Sequence, residues 1–190
     1  WAGLVAARQR YWGTLRTRSL IVHFRGHDIT AYIAEHGLRA YRRLFRDADH
    51  FIANSHHFRD RAISIGCPPN KISVIGSPID TKFFAPPTAA RNRGDGPLRL
   101  VAVGRLVEKK GFADAIAALE LLKKAGHAAT LQIVGDGPLR AQLARDAEDR
   151  GLRDAVVFTG AATRAGVRDA LHAAHIMLAP SVRSAAKDED

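Results

Sequence analysis

The chain has one cysteine, Cys67, and one methionine in 190 residues. A lone thiol forms no internal disulfide and, without a second Cys beside it, no thiolate metal site. That suits a reducing compartment, and the cytoplasm is the expected location. No stretch approaches the roughly 20 apolar residues of a bilayer-spanning helix, and the apolar runs are strand-sized. The GxxxxGK[ST] pattern of a P-loop and the GxGxxG dinucleotide fingerprint are both missing. Triphosphate and dinucleotide binding are therefore not signalled, and a cofactor-binding oxidoreductase is disfavoured. The opening WAGLVAARQRYW has no initiator Met and none of the basic, apolar, small-residue order of a signal peptide, so it reads as the interior of a longer chain.

What is present suffices for one large or two small globular domains, with 46% apolar residues. The net charge of +10 is unevenly spread: residues 1–100 carry 16 Lys and Arg against 7 Asp and Glu, residues 101–190 carry 13 against 12. A basic first half suits an anionic partner, either a phosphate-bearing membrane surface or nucleic acid, or else reflects helices solvated by arginine. Basic strands interleaved with aromatics and recognised nucleic-acid motifs are missing, so nucleic acid is not expected as a partner.

Apolar patterning predicts strands at Leu20–Phe24 and His50–Ala53, a helix through Leu38, Tyr41, Leu44 and Phe45, and a helix in HHFRDRAISIG capped by Asn54 or Ser55 and ended at Gly66. KISVIG reads as a further strand. Ala85–Pro97, with three prolines, two glycines and two arginines, has the profile of a linker. Beyond it LRLVAVG, ATLQIVG, AVVFTG and HIMLAP alternate with helices at Gly111–Ala125, Leu139–Arg150 and Val167–Ala174. Four apolar strands separated by three helices imply a parallel sheet covered on both faces, with ligands bound at the carboxyl ends of its strands.

The loops at that edge carry the candidate chemistry. In GRLVEKKGF a strand ends at Gly104, Arg105 follows, and Lys110 and Gly111 introduce a helix. Two cations beside a helix N-terminus suit a diphosphate and could stabilise it as a leaving group without a metal, although ordinary solvated loop residues give the same string. In GDGP, Gly135, Asp136 and Gly137 let backbone approach a ligand closely, or simply make a tight turn before Pro138. The strand ends Phe158–Gly160 and Ala179–Ser181 share that edge. In the first half, His27 and Asp28 form either an acceptor-binding or proton-handling pair or a turn cap.

GRLVEKKGF, IVGDGPLR, VVFTGA and IMLAPS, in this order with a helix between each pair, resemble the donor domain of GT-B glycosyltransferases of retaining family four. FRGHDI, FIANSHHFRDRAISIGCPPNKISVI and GSPIDTKFF resemble the latter part of that family's acceptor domain. FRGHD and the closing PSVRSAAKDED are most similar to the exopolysaccharide, colanic-acid type. The resemblance covers nearly the whole chain and implies an α/β GT-B fold of two Rossmann-like domains with parallel sheets, each partly present: 1–84 on the acceptor side, 85–97 as linker, 98–190 on the donor side. It implies transfer of a sugar, with retention, from a nucleotide-diphosphate sugar to a glycan or lipid-linked acceptor in exopolysaccharide or envelope glycan synthesis, with no cofactor and no metal. A sugar-nucleotide epimerase shares the fold, and a non-catalytic basic binding module is the other alternative.

Residue by residue, Arg105 and Lys110 match the family's phosphate-binding pair, and Gly104, Gly135, Asp136 and Gly137 fall in the loops beside the nucleotide. Phe158 to Gly160 match the strand end near the base, Ser181 precedes the sugar-contacting loop, and Gly26, His27 and Asp28 are expected to line the acceptor site. The family's Glu-Gly-x-Pro loop belongs after Asp190 and its acceptor-side histidine before Trp1, so the chain is expected to be cut at both ends. Some relatives carry His at the position of Arg25.

Overall fold

The computed structural model describes residues 2–87 and 96–184. They form two compact units, the first up to Ile79 together with Arg183 and Ser184, the second from Asp80 to Val182, each built on its own parallel sheet. Most of the linker segment expected at 85–97, and the residues after Ser184, lie outside the described residues.

The first unit runs α1 (Ala2–Tyr11), β1 (Ile21–Phe24), α2 (Gly26–Ile29), α3 (Ala31–His36), α4 (Arg39–Asp47), β2 (His50–Ala53), α5 (His56–Ser64) and β3 (Ile72–Val74). Its strands pair in parallel in the order β1-β2-β3. Alternation decides what each strand buries: Val22 and Phe24 of β1 and Phe51 and Ala53 of β2 face inward. Phe24 stacks on Phe51 at 5.2 Å and meets Tyr41 and Phe45 of α4 edge to face. Each such ring contributes about 1.5–3 kcal/mol by burial, so this aromatic cluster is the unit's main adhesive. Ser55 caps α5 by accepting from the Phe58 N–H at 3.2 Å, and Gly66 turns the chain out of the helix at φ 105°. Cys67, buried beneath that turn, has its thiol pushed up to about 11 by desolvation.

Two parts of this unit differ from the periodic reading. Helix α1 carries no amphipathic signature, yet it forms because Ala7 is buried and Leu4 packs on the core. Between β1 and α4, where the apolar pattern showed only a turn, two short helices form, α2 and α3, divided at Thr30 and ended by Gly37 at φ 75°. Helix α4 falls where the pattern through Leu38, Tyr41, Leu44 and Phe45 placed it.

The second unit runs β4 (Leu98–Val103), α6 (Phe112–Lys124), β5 (Ala129–Val134), α7 (Arg140–Asp149), β6 (Val156–Gly160), α8 (Arg164–Ala173) and β7 (Ile176–Leu178). All pairings are parallel in the order β6-β5-β4-β7. Leu100, Ala102, Leu131, Ile133 and Val156 point to one face, where Ile116, Leu119, Leu143 and Ala147 of α6 and α7 cover them. Val101 and Val134 point to the other, under Ala170, Val167 and Leu171 of α8. Helix α8 begins three residues earlier than its apolar pattern, because the Thr163 hydroxyl caps it by accepting from the Gly166 N–H at 3.2 Å.

The segment leading into this unit is fastened to α8. Arg164 lies 4.6 Å from the Phe83 ring centroid and Arg168 4.8 Å from it, and Arg164 also pairs with Asp80 at 3.3 Å. His172 Nε2 meets the Ala85 carbonyl at 2.9 Å.

Candidate functional site

Helices α6 and α7 leave the second sheet toward one face and α8 toward the other. Loops that diverge in this way open a crevice above the carboxyl ends of the strands. A cavity of about 300 Å³ lies there, lined by Val103, Gly104, Arg105, Val134, Gly135, Asp136, Ala161, Ala162 and Val167.

Its floor is made of backbone clasped to backbone. The Gly104 N–H donates to the Val134 carbonyl at 3.0 Å, the Leu106 N–H to the Asp136 carbonyl at 2.9 Å, the Leu139 N–H to the Leu106 carbonyl at 3.1 Å, and the Gly135 N–H to the Gly160 carbonyl at 2.8 Å. This explains the glycines differently from the sequence reading. A Cβ on Gly135 would overlap the Gly104 carbonyl oxygen, and one on Gly137 would come within 2.6 Å of the Leu106 carbonyl oxygen. The close approach demanded of the GDGP turn is therefore to the β4 loop of the protein itself.

Glu108–Lys110 form a 3-10 turn closed by Gly111 at φ 63°, which lies so near the Pro180 carbonyl that a side chain there would collide with it. The N-terminus of α6 is thus partly engaged by the protein, with Asp114 in its first turn and Pro180 beside it. Arg105 is exposed on the cavity wall, while the aliphatic stem of Lys110 runs along Gly104, with carbons 3.7 and 3.8 Å from where a Cβ would stand. Arg105 thus stands on the cavity wall, and the Lys110 stem lies beside Gly104, the residue before Arg105. Asp136 is held within the turn, accepting from the Gly137 N–H at 2.7 Å and facing Arg140 at 3.7 Å.

Of the other expected donor residues, Gly160 reaches the rim through its carbonyl. The Phe158 side chain does not reach the cavity. It packs instead against the core beneath α7, because on β6 it shares the face of Val156. Exposed Ser181 belongs to the segment along the 3-10 turn, where the Val182 N–H donates to the Lys109 carbonyl at 2.9 Å. Ala161, Ala162 and Val167, which line the cavity, escaped the sequence reading, since small apolar residues after a strand carry no signal. Arg140 also escaped it, although its four-residue spacing from Asp136 marked the pair.

In the first unit, Gly26 and Asp28 hold a turn. The Asp28 carboxylate accepts from the Arg25 N–H at 3.0 Å, its carbonyl accepts from the Tyr41 hydroxyl at 2.6 Å, and the Gly26 carbonyl accepts from the Thr30 hydroxyl at 2.7 Å. This is the capping alternative of the sequence reading, and His27 stands exposed beside it. Burial, with the nearby Asp28 charge second, pushes the Tyr41 phenol far above its usual range, so it acts as a hydrogen-bond donor. Among the described residues no three His, Cys, Asp or Glu side chains gather as a metal-ligating group, and no helix is long and apolar enough to cross a membrane.

The profile of the glycosyl transferases group 1 matches residues 88–188, and that of glycosyltransferase family 4 matches residues 1–83. The chain belongs to the group 1 glycosyltransferases. Two curated relatives in the group are the amylovoran biosynthesis glycosyltransferase AmsK of Erwinia amylovora, 33% identical over 99% of this chain and 46% of its own length, and the putative colanic acid biosynthesis glycosyltransferase WcaL of Escherichia coli, 34% identical over 98% and 46%. The chain thus spans about half the length of the curated relatives it matches. Among solved structures, Anabaena HepE in complex with UDP-glucose superposes with a TM-score of 0.74 at 22% identity, covering 95% of this chain and 50% of that one. A sucrose-phosphate synthase from Thermosynechococcus elongatus superposes at 0.72, with 20% identity and coverage of 95% and 48%. The fold is GT-B, an α/β architecture of parallel sheets.

Proposed function

We propose that the cavity at the ends of β4, β5 and β6 is the donor site of a retaining glycosyltransferase that uses a nucleotide-diphosphate sugar. The observation that carries this reading is the placement of Arg105 on the cavity wall and of the Lys110 stem along Gly104, which sets two cationic residues beside one loop at the carboxyl edge of a parallel sheet. Arg105 offers a forked donor to phosphate oxygens and Lys110 a point charge. As the bond to the sugar breaks, negative charge grows on the departing diphosphate, and fixed cations that need no reorganisation stabilise it most at that moment. The sugar passes to a glycan or lipid-linked acceptor in exopolysaccharide or envelope glycan synthesis, on the cytoplasmic side, without a cofactor. The chain's relatives in amylovoran and colanic acid biosynthesis, AmsK and WcaL, and the UDP-glucose bound in HepE support this reading. The pairing of an acceptor-side unit with a donor-side unit belongs to the same proposal. Residues 80–85, which lie on α8 through Asp80, Phe83 and Ala85, are counted to the donor side and not, as the sequence suggested, to the acceptor side or the linker. Gly26, His27 and Asp28 lie in the acceptor-side unit, their turn held internally.

The test is thermal stability of the chain with UDP, GDP, UMP or no ligand, repeated with Arg105→Ala and Lys110→Ala. A nucleoside diphosphate is expected to raise the melting temperature more than its monophosphate does, and each substitution to abolish the gain. An unchanged shift in both variants would refute the assignment of the two cations.

A further inference from the structure

The most basic surface of the first unit has no part in the donor site. Helix α4 buries Tyr41, Leu44 and Phe45 and exposes Arg39, Arg42, Arg43 and Arg46. At 100° per residue these four arginines fall within an arc of about 100° opposite the buried side. Arg8 on α1 and Arg16 and Arg18 in the loop that follows are also exposed. The nearby acids are engaged: Asp47 is bound by Arg46 at 2.6 Å, and Asp49 by Arg10 and by the Leu20 N–H.

Two large aromatics stand in solvent at the same place. Tyr11 is 59% exposed and Trp12 66%, edge to face at 5.4 Å. The Arg43 guanidinium lies 5.1 Å from the Tyr11 ring, which joins the end of α1 to the arginine face of α4. Exposed Trp and Tyr beside clustered arginine have the make-up of a surface that settles at the headgroup level of a bilayer. Guanidinium groups there bind lipid phosphates, and the rings sit at the apolar boundary. Nucleic acid would take the same charges, but here the two rings sit together at a helix end and are not spread as successive stacking platforms along a groove.

We propose that the α1–α4 face docks the protein on an anionic phospholipid leaflet, with Arg39 and Arg42 on lipid phosphates and Tyr11 and Trp12 at the headgroup boundary. The inference does not depend on the donor-site reading.

The experiment is co-sedimentation of the chain with phosphatidylcholine vesicles with and without phosphatidylglycerol, at low and high salt. Binding is expected only to the anionic vesicles, weakening with salt, and the combined Arg39→Gln, Arg42→Gln variant is expected to lose about 30-fold in partition coefficient. Because these side chains are exposed, that variant should melt at the temperature of the parent. With Trp1→Phe, Trp12 is left as the only tryptophan, and its emission should shift to the blue on anionic vesicles. Equal binding to neutral vesicles, no binding, full binding by the double variant, unmoved Trp12 emission, or preference for duplex or single-stranded nucleic acid at equal salt would each overturn the proposal.

Discussion

The two units treat the turn after a strand in opposite ways. After β1, polar groups are spent on the turn itself: the Asp28 carboxylate and carbonyl and the Gly26 carbonyl all hold neighbours in place. After β4 and β5 the backbones hold each other, with only Asp136 spending its carboxylate on the turn, and the side chain that follows Gly104 is left on a cavity wall. A chemically suggestive side chain is therefore weak as a functional signal when its turn needs it, and stronger when the turn is closed without it.

That contrast is open to direct attack. The largest effect is expected from Gly135→Ala, whose new methyl must displace the Gly104 carbonyl. A loss of about 3 kcal/mol in denaturant unfolding, with the nucleotide-induced shift gone as well, would confirm that the two loops are one unit. Arg105→Ala should do the reverse, leaving stability within about 0.5 kcal/mol while weakening nucleoside diphosphate binding by about 10–100-fold in calorimetry. Asp28→Ala should cost about 1 kcal/mol, as the loss of a cap does, without altering nucleotide binding. The smallest effect belongs to His27→Ala, expected within about 0.5 kcal/mol of the parent in the same unfolding measurement. A stability loss for His27→Ala larger than that for Asp28→Ala would invert the comparison.

The second unit was the more legible in sequence, for a physical reason. Strands buried on both faces, such as LRLVAV and ATLQIV, leave continuous apolar runs, and α6 and α7 each turn one apolar side to a single sheet. Helix α1 left no pattern to read, since its contacts come from tertiary packing of small residues. At the candidate site, Gly104, Arg105, Gly135 and Asp136 were legible because they follow strand ends directly. Phe158 was misplaced because a strand end fixes where the backbone goes, whereas the pleat decides which face a ring takes. The reason for Gly135 and Gly137 was also hidden, since the atoms they make room for belong to Gly104 and Leu106, some thirty positions earlier in the chain.

The clamp of Arg164 and Arg168 on Phe83 has a practical consequence for dissecting the molecule. The ring and its two guanidinium groups form part of the second unit's surface, and the Asp80–Arg164 pair extends the same attachment. An excised second unit that starts at Leu98, where its first strand begins, would strip two arginines of the ring they lie on and the carboxylate beside them, whereas one that starts at Asp80 keeps its own fastening.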